Sequence, residues 1–345
     1  MKAMYLKAPL QFELRDVPLR APENGEVVVS VRACGFCGHD LILARYAAED
    51  WQPFGHEFSG VVEEVGADVT NVRAGDRVAV ETSTFNFLSD PARNGRPDLD
   101  TKGPSYMDMR HTAMGFAERT IVPACLCVKT GGLPFEQACF LEPMGVAYDL
   151  ILTADIHLGD DVLVMGLGSI GLMALQMARR SGARRIYAAD RSHNKAKLEL
   201  AKAYGADEII CTDETDLAVY PFERGNVERV LVTTPPGTID LATRAAGIGG
   251  IVAFLGISYG EQAMAAFDSN VVHLKKLQIR ASNAIPALYF PRCIDLMNAG
   301  QVDVSRLITH TFPLDGAVKG LTAFVNDKHT AIKAVMIGDG VSARG

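Results

Sequence analysis

The chain has 345 residues, 34 Lys and Arg against 41 Asp and Glu, a formal net charge of −7, and 48% hydrophobic with 22% charged residues. It is longer than one hydrophobic core usually organises, so two domains are expected, and the negative balance without a Lys/Arg cluster argues against a nucleic-acid partner. The opening Met1-Lys-Ala-Met-Tyr5 lacks the apolar core of a signal peptide, and no apolar run reaches bilayer length, so no membrane partner, a cytoplasmic location and a small-molecule partner are expected.

From residue 1 to about 148, apolar runs at 25–32, 58–65 and 75–80 predict short strands between glycine-rich turns, a mostly β half. Residues 82–115 form a polar stretch without periodicity, which in a compact domain reads as a functional or mobile loop. Between about 150 and 284, predicted strands at 162–165, 185–189, 208–211, 229–233, 250–255 and 277–281 alternate with helical patterns. Such alternation implies right-handed crossovers and a doubly wound parallel sheet. Beyond 285, residues 288–299 predict a helix stopped by Gly300, and 331–337 a last strand. Periodicity leaves open which half this tail joins. Seven cysteines, an odd number scattered along the chain, read as reduced thiols or ligands rather than a disulfide framework.

The most specific local signal is Val162-Leu-Val-Met165 running into Gly166-Leu-Gly168-Ser169-Ile170-Gly171. The first glycine permits a tight strand-to-helix turn, the second lets backbone approach a pyrophosphate, and the third packs helix on strand. The helix that follows offers unpaired N–H groups and partial positive charge to phosphates. Asp190 closes the next strand at the distance expected of a ribose-binding acid, and its charge repels a 2′-phosphate, so NAD is expected as cofactor. Arg191 beside it opposes that reading, because a guanidinium there pairs with a phosphate or stacks on adenine.

Four residues of the first half are candidates to converge on a cation: Cys37 in Cys34-Gly-Phe-Cys37-Gly-His39-Asp40, His56 and Glu57 in Phe54-Gly-His-Glu57, and Glu142 in Phe140-Leu-Glu-Pro143. Singly, each has an ordinary structural role, as a small buried hydrophobe, a core histidine or a helix N-terminal charge. Jointly, thiolate, imidazole and carboxylate with one position left open are what a catalytic zinc requires. Such a cation lowers the pKa of an alcohol so that it can give up hydride to nicotinamide, which accounts for a metal site and a dinucleotide fingerprint in one chain.

With these segments, together with residues 66–76, Gly115-Phe-Ala-Glu118, Glu142-Pro-Met-Gly-Val-Ala147 and Leu307-Ile-Thr-His-Thr-Phe-Pro313, the chain resembles the zinc-dependent medium-chain dehydrogenase/reductase family, in its polyol and threonine dehydrogenase branch. The resemblance spans nearly the whole length. It implies an α/β protein: a GroES-like β-rich catalytic domain built from 1–148 and 285–345, and a Rossmann NAD-binding domain at 149–284. It also implies catalytic zinc on Cys37 and His56, with Glu57 or Glu142 as the third carboxylate ligand, and Asp40 orienting His56. A homodimer or homotetramer is implied too, with edge strands near 252–255 and 277–281 pairing between subunits.

Two departures stand out. In the loop 86–100, where many relatives carry four cysteines on a structural zinc, the matching positions are Asn86, Ser89, Ala92 and Asp100, which cannot assemble a soft metal site, so one zinc per chain is expected. His39 stands where relatives place the Ser or Thr that passes on the alcohol proton, and an imidazole can relay a proton at neutral pH.

The implied substrate is a secondary alcohol on a sugar, polyol or hydroxy-amino acid. Trp51, Phe85, Phe87, Tyr106 and Phe116 are candidate cleft aromatics, and only 18 residues separate Cys37 from His56, short for polyol dehydrogenases. Two other readings exist. A zinc-free quinone or enone reductase would not need Cys37, His56 and Glu142 together, and a non-catalytic dinucleotide-binding protein is separable only by assay.

Overall fold

Val27, Val28, Val29 and Val31 make Glu26–Gly35 a β-branched, almost wholly buried strand, and it becomes the spine of the first half. The computed structural model describes residues 1–327 and 329–340. One side of the spine pairs antiparallel with Glu57–Val65; the other pairs first with Arg119–Pro123 and then with Lys333–Ile337. Arg77–Val80, Cys127–Lys129 and Ile308–Pro313 complete a seven-stranded sheet. The tail of the chain thus supplies two strands to the sheet begun by its head, with Val335 opposite Gly35. Helix Phe290–Asn298, within the span predicted from the sequence, lies instead against helix Leu141–Ala154.

The second sheet is parallel throughout, with strands in the order Glu208–Cys211, Arg185–Asp190, Asp161–Met165, Val227–Val232, Ala246–Phe254, Gln278–Ala281. This is the doubly wound order expected of a dinucleotide fold, and every residue of Asp161–Met165 is buried because helices cover both faces. Expected and observed strands agree to within a few residues. A third, three-stranded sheet of Lys2–Lys7, Gln11–Asp16 and Gln52–Pro53 has no counterpart in the sequence reading.

Two expectations are corrected. Residues 252–255 are not an edge: Ala246–Phe254 is paired on both sides, so this end of the sheet closes on Gln278–Ala281. Among the candidate cleft aromatics, Tyr106 and Phe116 are core residues at 0% and 1% exposure. Phe85 and Phe87 pack on each other as tilted rings with centres 4.5 Å apart and Phe87 facing solvent, and Trp51 lies under the Arg15 guanidinium. Aromatic type alone does not separate core from cleft.

Residues 82–115 form a lobe with a four-residue helix, Asp90–Arg93, and the 3-10 turn Pro97–Leu99. Its base is closed by the Thr84 N–H donating to Pro104 C=O (2.9 Å) and the Tyr106 N–H donating to Thr82 C=O (2.8 Å).

Glu81, at the root of this lobe, is 7% exposed, and burial alone pushes its carboxyl up from 4.5 to about 8. Protonation is therefore favoured in the folded state, and stability falls as pH rises through that window. Keeping Glu81 protonated at pH 7, where the unfolded chain would ionise it, costs the fold about 3 kcal/mol, since a pKa unit is worth about 1.4 kcal/mol. Glu81→Gln is expected to unfold at a higher temperature than wild type, with a gap that widens from pH 5 to pH 8 in differential scanning calorimetry. A gap independent of pH would show that Glu81 does not titrate there.

Candidate active site

Cys37 follows the spine strand directly and caps the short helix Gly38–Ile42: its Sγ accepts the His39 N–H at 3.4 Å, while its own N–H donates to Asp40 Oδ2 at 3.1 Å. This reciprocal cap aims the thiol and the Asp40 carboxylate into the same space. His56 and Glu57 open the neighbouring strand Glu57–Val65, which pairs with the spine at Gly35. Two adjacent strands thus bring ligand atoms of Cys37, His56 and Glu57 within 4.8 Å of one another.

Asp40, at 2% exposure, places Oδ1 3.6 Å from His56 Nδ1, close enough to bias the ring's orientation though longer than a hydrogen bond. Glu142 enters from the first turn of helix Leu141–Ala154 and lies beside the three-residue group rather than within it. It lines a small cavity with Gly145, Ala284 and Tyr289. Burial pushes its carboxyl up to about 7 against the pull of His56. Burial disfavours a charged His56, yet Cys37, Asp40 and Glu142 outweigh it and raise the imidazole well above its ordinary value.

That pattern tests whether a cation suits the site. Burial raises the pKa values of Cys37, Asp40 and Glu142 and so holds each towards its neutral form, while the Lys333 ammonium is already paired with Glu57. A divalent cation would supply the positive charge that stabilises their ionised forms, and a thiolate–imidazole–carboxylate set fits zinc. The residues present fit the metal.

The dinucleotide turn stands across a cleft of about 540 Å³, whose wall includes Cys37, Gly168, Ser169, Ile170, Gly171 and Lys333. Gly166 has φ +92°, and a Cβ on Gly171 would lie 2.0 Å from the Gly166 carbonyl oxygen, so these two positions of the turn demand glycine. Thr233 steadies it by donating to the Met165 and Gly166 carbonyls at 3.0 and 2.9 Å. Asp190 accepts from the N–H groups of Leu167 (2.9 Å) and Arg191 (2.7 Å) and from Asn194 Nδ2 (2.8 Å). Three of its roughly four lone-pair sites are taken, leaving about one free. Arg191 is exposed, and neither it nor Asp190 is part of the cleft wall.

Residues 23–132 match the alcohol dehydrogenase GroES-like domain family, and residues 169–299 match the zinc-binding dehydrogenase family. The chain is 32% identical to L-threonine 3-dehydrogenase of Bacillus velezensis, covering 89% of this chain and 90% of that protein. The chain belongs to the zinc-dependent medium-chain dehydrogenase/reductase family. It is also 30% identical to L-arabinitol 4-dehydrogenase of Hypocrea jecorina, over 90% of this chain and 85% of that one. Among solved structures, the RspB alcohol dehydrogenase of Escherichia coli CFT073, complexed with NADH, superposes with a TM-score of 0.86 at 28% identity, covering 98% of this chain and 99% of that one.

The structure of this medium-chain dehydrogenase shows what surrounds the two positions singled out in the sequence. In the lobe, the Asp100 carboxylate accepts from the Asn86 N–H at 2.6 Å, the Lys102 N–H at 3.3 Å and the Ser89 side chain, contacts that hold its pKa below the ordinary carboxylate value. A hydrogen-bonded knot of Asn86, Ser89 and Asp100 thus occupies three of the four positions noted in the sequence. At the Cys37 end, His39 Nε2 lies 2.7 Å from the Tyr259 hydroxyl, with the two rings stacked at 6.1 Å and the His56 ring centre 6.3 Å from that of His39. Burial and the neighbouring His56 both lower the His39 pKa. Tyr259, Thr233, Asn194 and Lys333, which sequence reasoning missed, contact the candidate residues His39, Gly166, Asp190 and Glu57. No helix among the described residues is long and apolar enough to cross a membrane.

Proposed function

We propose that this dehydrogenase oxidises a secondary alcohol on a polyol, sugar or hydroxy-amino acid, with NAD as hydride acceptor and one zinc per chain held by Cys37, His56 and a carboxylate from Glu57 or Glu142. The observation that carries the reading is that one cleft has both Cys37 and Gly168 to Gly171 in its wall, which would let a metal held with Cys37 and a nicotinamide face the same substrate carbon. Zinc bound there would supply Lewis acidity, lowering the pKa of the substrate hydroxyl. The chain's own residues do the rest. Asp40 orients His56; Asp190, its carboxylate braced by three donors, receives the adenosine ribose; and the Gly168 and Ser169 N–H groups face the pyrophosphate. His39 and Tyr259 carry the released proton toward solvent, in place of a hydroxyl side chain.

The relatives' names support the substrate class: one acts on a hydroxy-amino acid and one on a polyol. The NADH of the RspB complex and the acid at position 190 support NAD over NADP. Seven free cysteines suit a reducing cytoplasm. The exposed edge strand Gln278–Ala281 suits pairing with a second copy, giving a homodimer or homotetramer. A zinc-free enone reductase accounts for none of the Cys37–His56–Glu57 convergence.

The test combines metal analysis of the purified protein with NAD and NADP reduction across a panel of polyols, hydroxy-amino acids and simple secondary alcohols. Expected are one zinc per chain, turnover abolished by chelation, and a kcat/KM for NAD at least about tenfold above that for NADP. Protein that carries no zinc, or whose turnover survives chelation, would overturn the reading.

A further inference from the structure

Glu142, Gly145, Val146 and Asp149 stand at i, i+3, i+4 and i+7 of helix Leu141–Ala154, so they share one face. Glu142 is at the metal end of that face, where its carboxyl feels the charge of His56. Asp149 is at the far end. Its Oδ2 accepts from Ser282 Oγ at 2.6 Å and its Oδ1 from the Tyr289 hydroxyl at 2.9 Å, so one carboxylate pins both ends of the segment 282–289 against the helix. Between the two acids the surfaces do not close. Glu142, Gly145 and Val146 on the helix, with Ala284, Ala287 and Phe290 opposite, enclose a cavity of about 10 Å³. That is room for one group the size of a water or a methyl. A buried water is held by about three polar partners. Glu142 is the one wall side chain with a free polar group, because the Tyr289 hydroxyl is committed to Asp149. The space therefore suits a methyl.

Gly145 keeps it open. A Cβ there would meet the Phe290 ring carbons at 3.8 and 3.9 Å and nothing nearer, which is ordinary contact, so an alanine would fit and fill the space. Alanine is also the better helix former, so neither packing nor helix geometry demands the glycine.

We propose that this cavity receives the smaller arm of the substrate's carbinol carbon and limits it to methyl, so that the alcohol oxidised is a methyl carbinol, –CH(OH)CH3, with Gly145 setting the size limit. The inference rests on the zinc and NAD reading of the site and narrows the substrate class within it. Glu142 belongs both to the surroundings of His56 and to the cavity wall, so a substrate held there has this space beside one of its arms. The carbinol C–H gives hydride to NAD and the O–H proton passes to solvent, leaving a methyl ketone. An ethyl arm is one methylene too long, and a hydroxymethyl arm would also bring its hydroxyl among apolar walls. One methylene in an apolar pocket discriminates by about tenfold or more.

The experiment measures kcat/KM with NAD for three methyl carbinols, propane-1,2-diol, butane-2,3-diol and L-threonine, and for butane-1,2-diol, glycerol and xylitol, whose secondary carbinols carry ethyl, hydroxymethyl or longer arms. Wild type, Gly145→Ala and Val146→Ala are compared, with the melting temperature, zinc content and NADH dissociation constant of each. Wild type is expected to oxidise the best methyl carbinol at least about tenfold more efficiently than the best of the others. Gly145→Ala is expected to melt no lower than wild type, to keep its zinc and NADH affinity, and to lose at least about tenfold on methyl carbinols. Val146→Ala, which widens the same wall, should raise butane-1,2-diol relative to propane-1,2-diol by about tenfold. An ethyl or hydroxymethyl carbinol oxidised as well as the methyl carbinols by wild type would overturn the proposal. So would a Gly145→Ala variant of unchanged activity, or one that melts well below wild type, since its methyl would then have met no free space. An unchanged ratio in Val146→Ala would overturn it too. A wild type that reduces NAD with none of these alcohols would instead sink the dehydrogenase reading itself.

Discussion

His56→Ala is expected to lose bound zinc and to turn over at about one-thousandth of the wild-type rate or less. The imidazole is the one nitrogen donor in a group whose other members are a thiol and a carboxyl, and it reaches the site from a strand end fixed by pairing with the spine. Its loss leaves Cys37 and Glu57 without a third convergent donor in the described cluster, and Asp40 without the ring it faces at 3.6 Å. A metal contributes several kcal/mol of charge stabilisation in the transition state, and each 1.36 kcal/mol is about tenfold in rate, so a thousandfold loss is the modest end of the range. Cofactor binding should survive, because the dinucleotide turn belongs to the other sheet. Zinc content and single-turnover rate measure the effect, with NADH fluorescence as the control for a folded cleft. A variant that keeps turnover within tenfold of wild type would remove His56 from the chemistry.

Gly171→Ala is expected to do the converse. Its new methyl would lie 2.0 Å from the Gly166 carbonyl oxygen and 3.1 Å from Thr233 Oγ1. Neither neighbour can yield cheaply: the first is backbone in a turn with φ +92°, and the second is committed to two carbonyls. The helix Ser169–Arg180 must therefore move off the end of strand Asp161–Met165, carrying its N–H groups away from the pyrophosphate position. A hundredfold loss in affinity corresponds to about 2.7 kcal/mol, within what a displaced helix terminus and overpacking together produce. The dissociation constant for NADH should weaken by at least about that hundredfold, with zinc content unchanged. Tight NADH binding by the variant would show that the turn relaxes around the methyl. The two variants fail separately because metal donors and cofactor turn are built on different sheets that meet only at the cleft.

How much of this was legible beforehand depends on how far apart the interacting groups lie in the chain. The dinucleotide unit was readable because strand, turn and helix are contiguous and the steric demand for glycine acts within six residues, Gly166 to Gly171. The reciprocal cap between Cys37 and Asp40 is local in the same way. His56 and Glu57 were readable as residue types in a likeness, and only the pairing of two strands brought them to Cys37. Glu142 was selected on the same grounds and lies beside the group rather than in it. The aromatics were misread because Tyr106 and Phe116 look the same in a sequence whether they fill a core or line a cleft.

The chain's local chemistry determined the class of fold and the cofactor turn, because each arises from short-range sterics or from residue patterns within one segment, and it supplied the candidate metal donors only as residue types. The tertiary structure alone decided which groups meet across the cleft and the sheet. Tyr259 reaches His39 from 220 residues away, and Lys333 finds Glu57 from the opposite end of the chain. Ala246–Phe254 gains a partner on each side and ceases to be an edge. Strand order, register and burial are settled by hydrogen bonds and packing between distant segments, and no single stretch of residues carries that information.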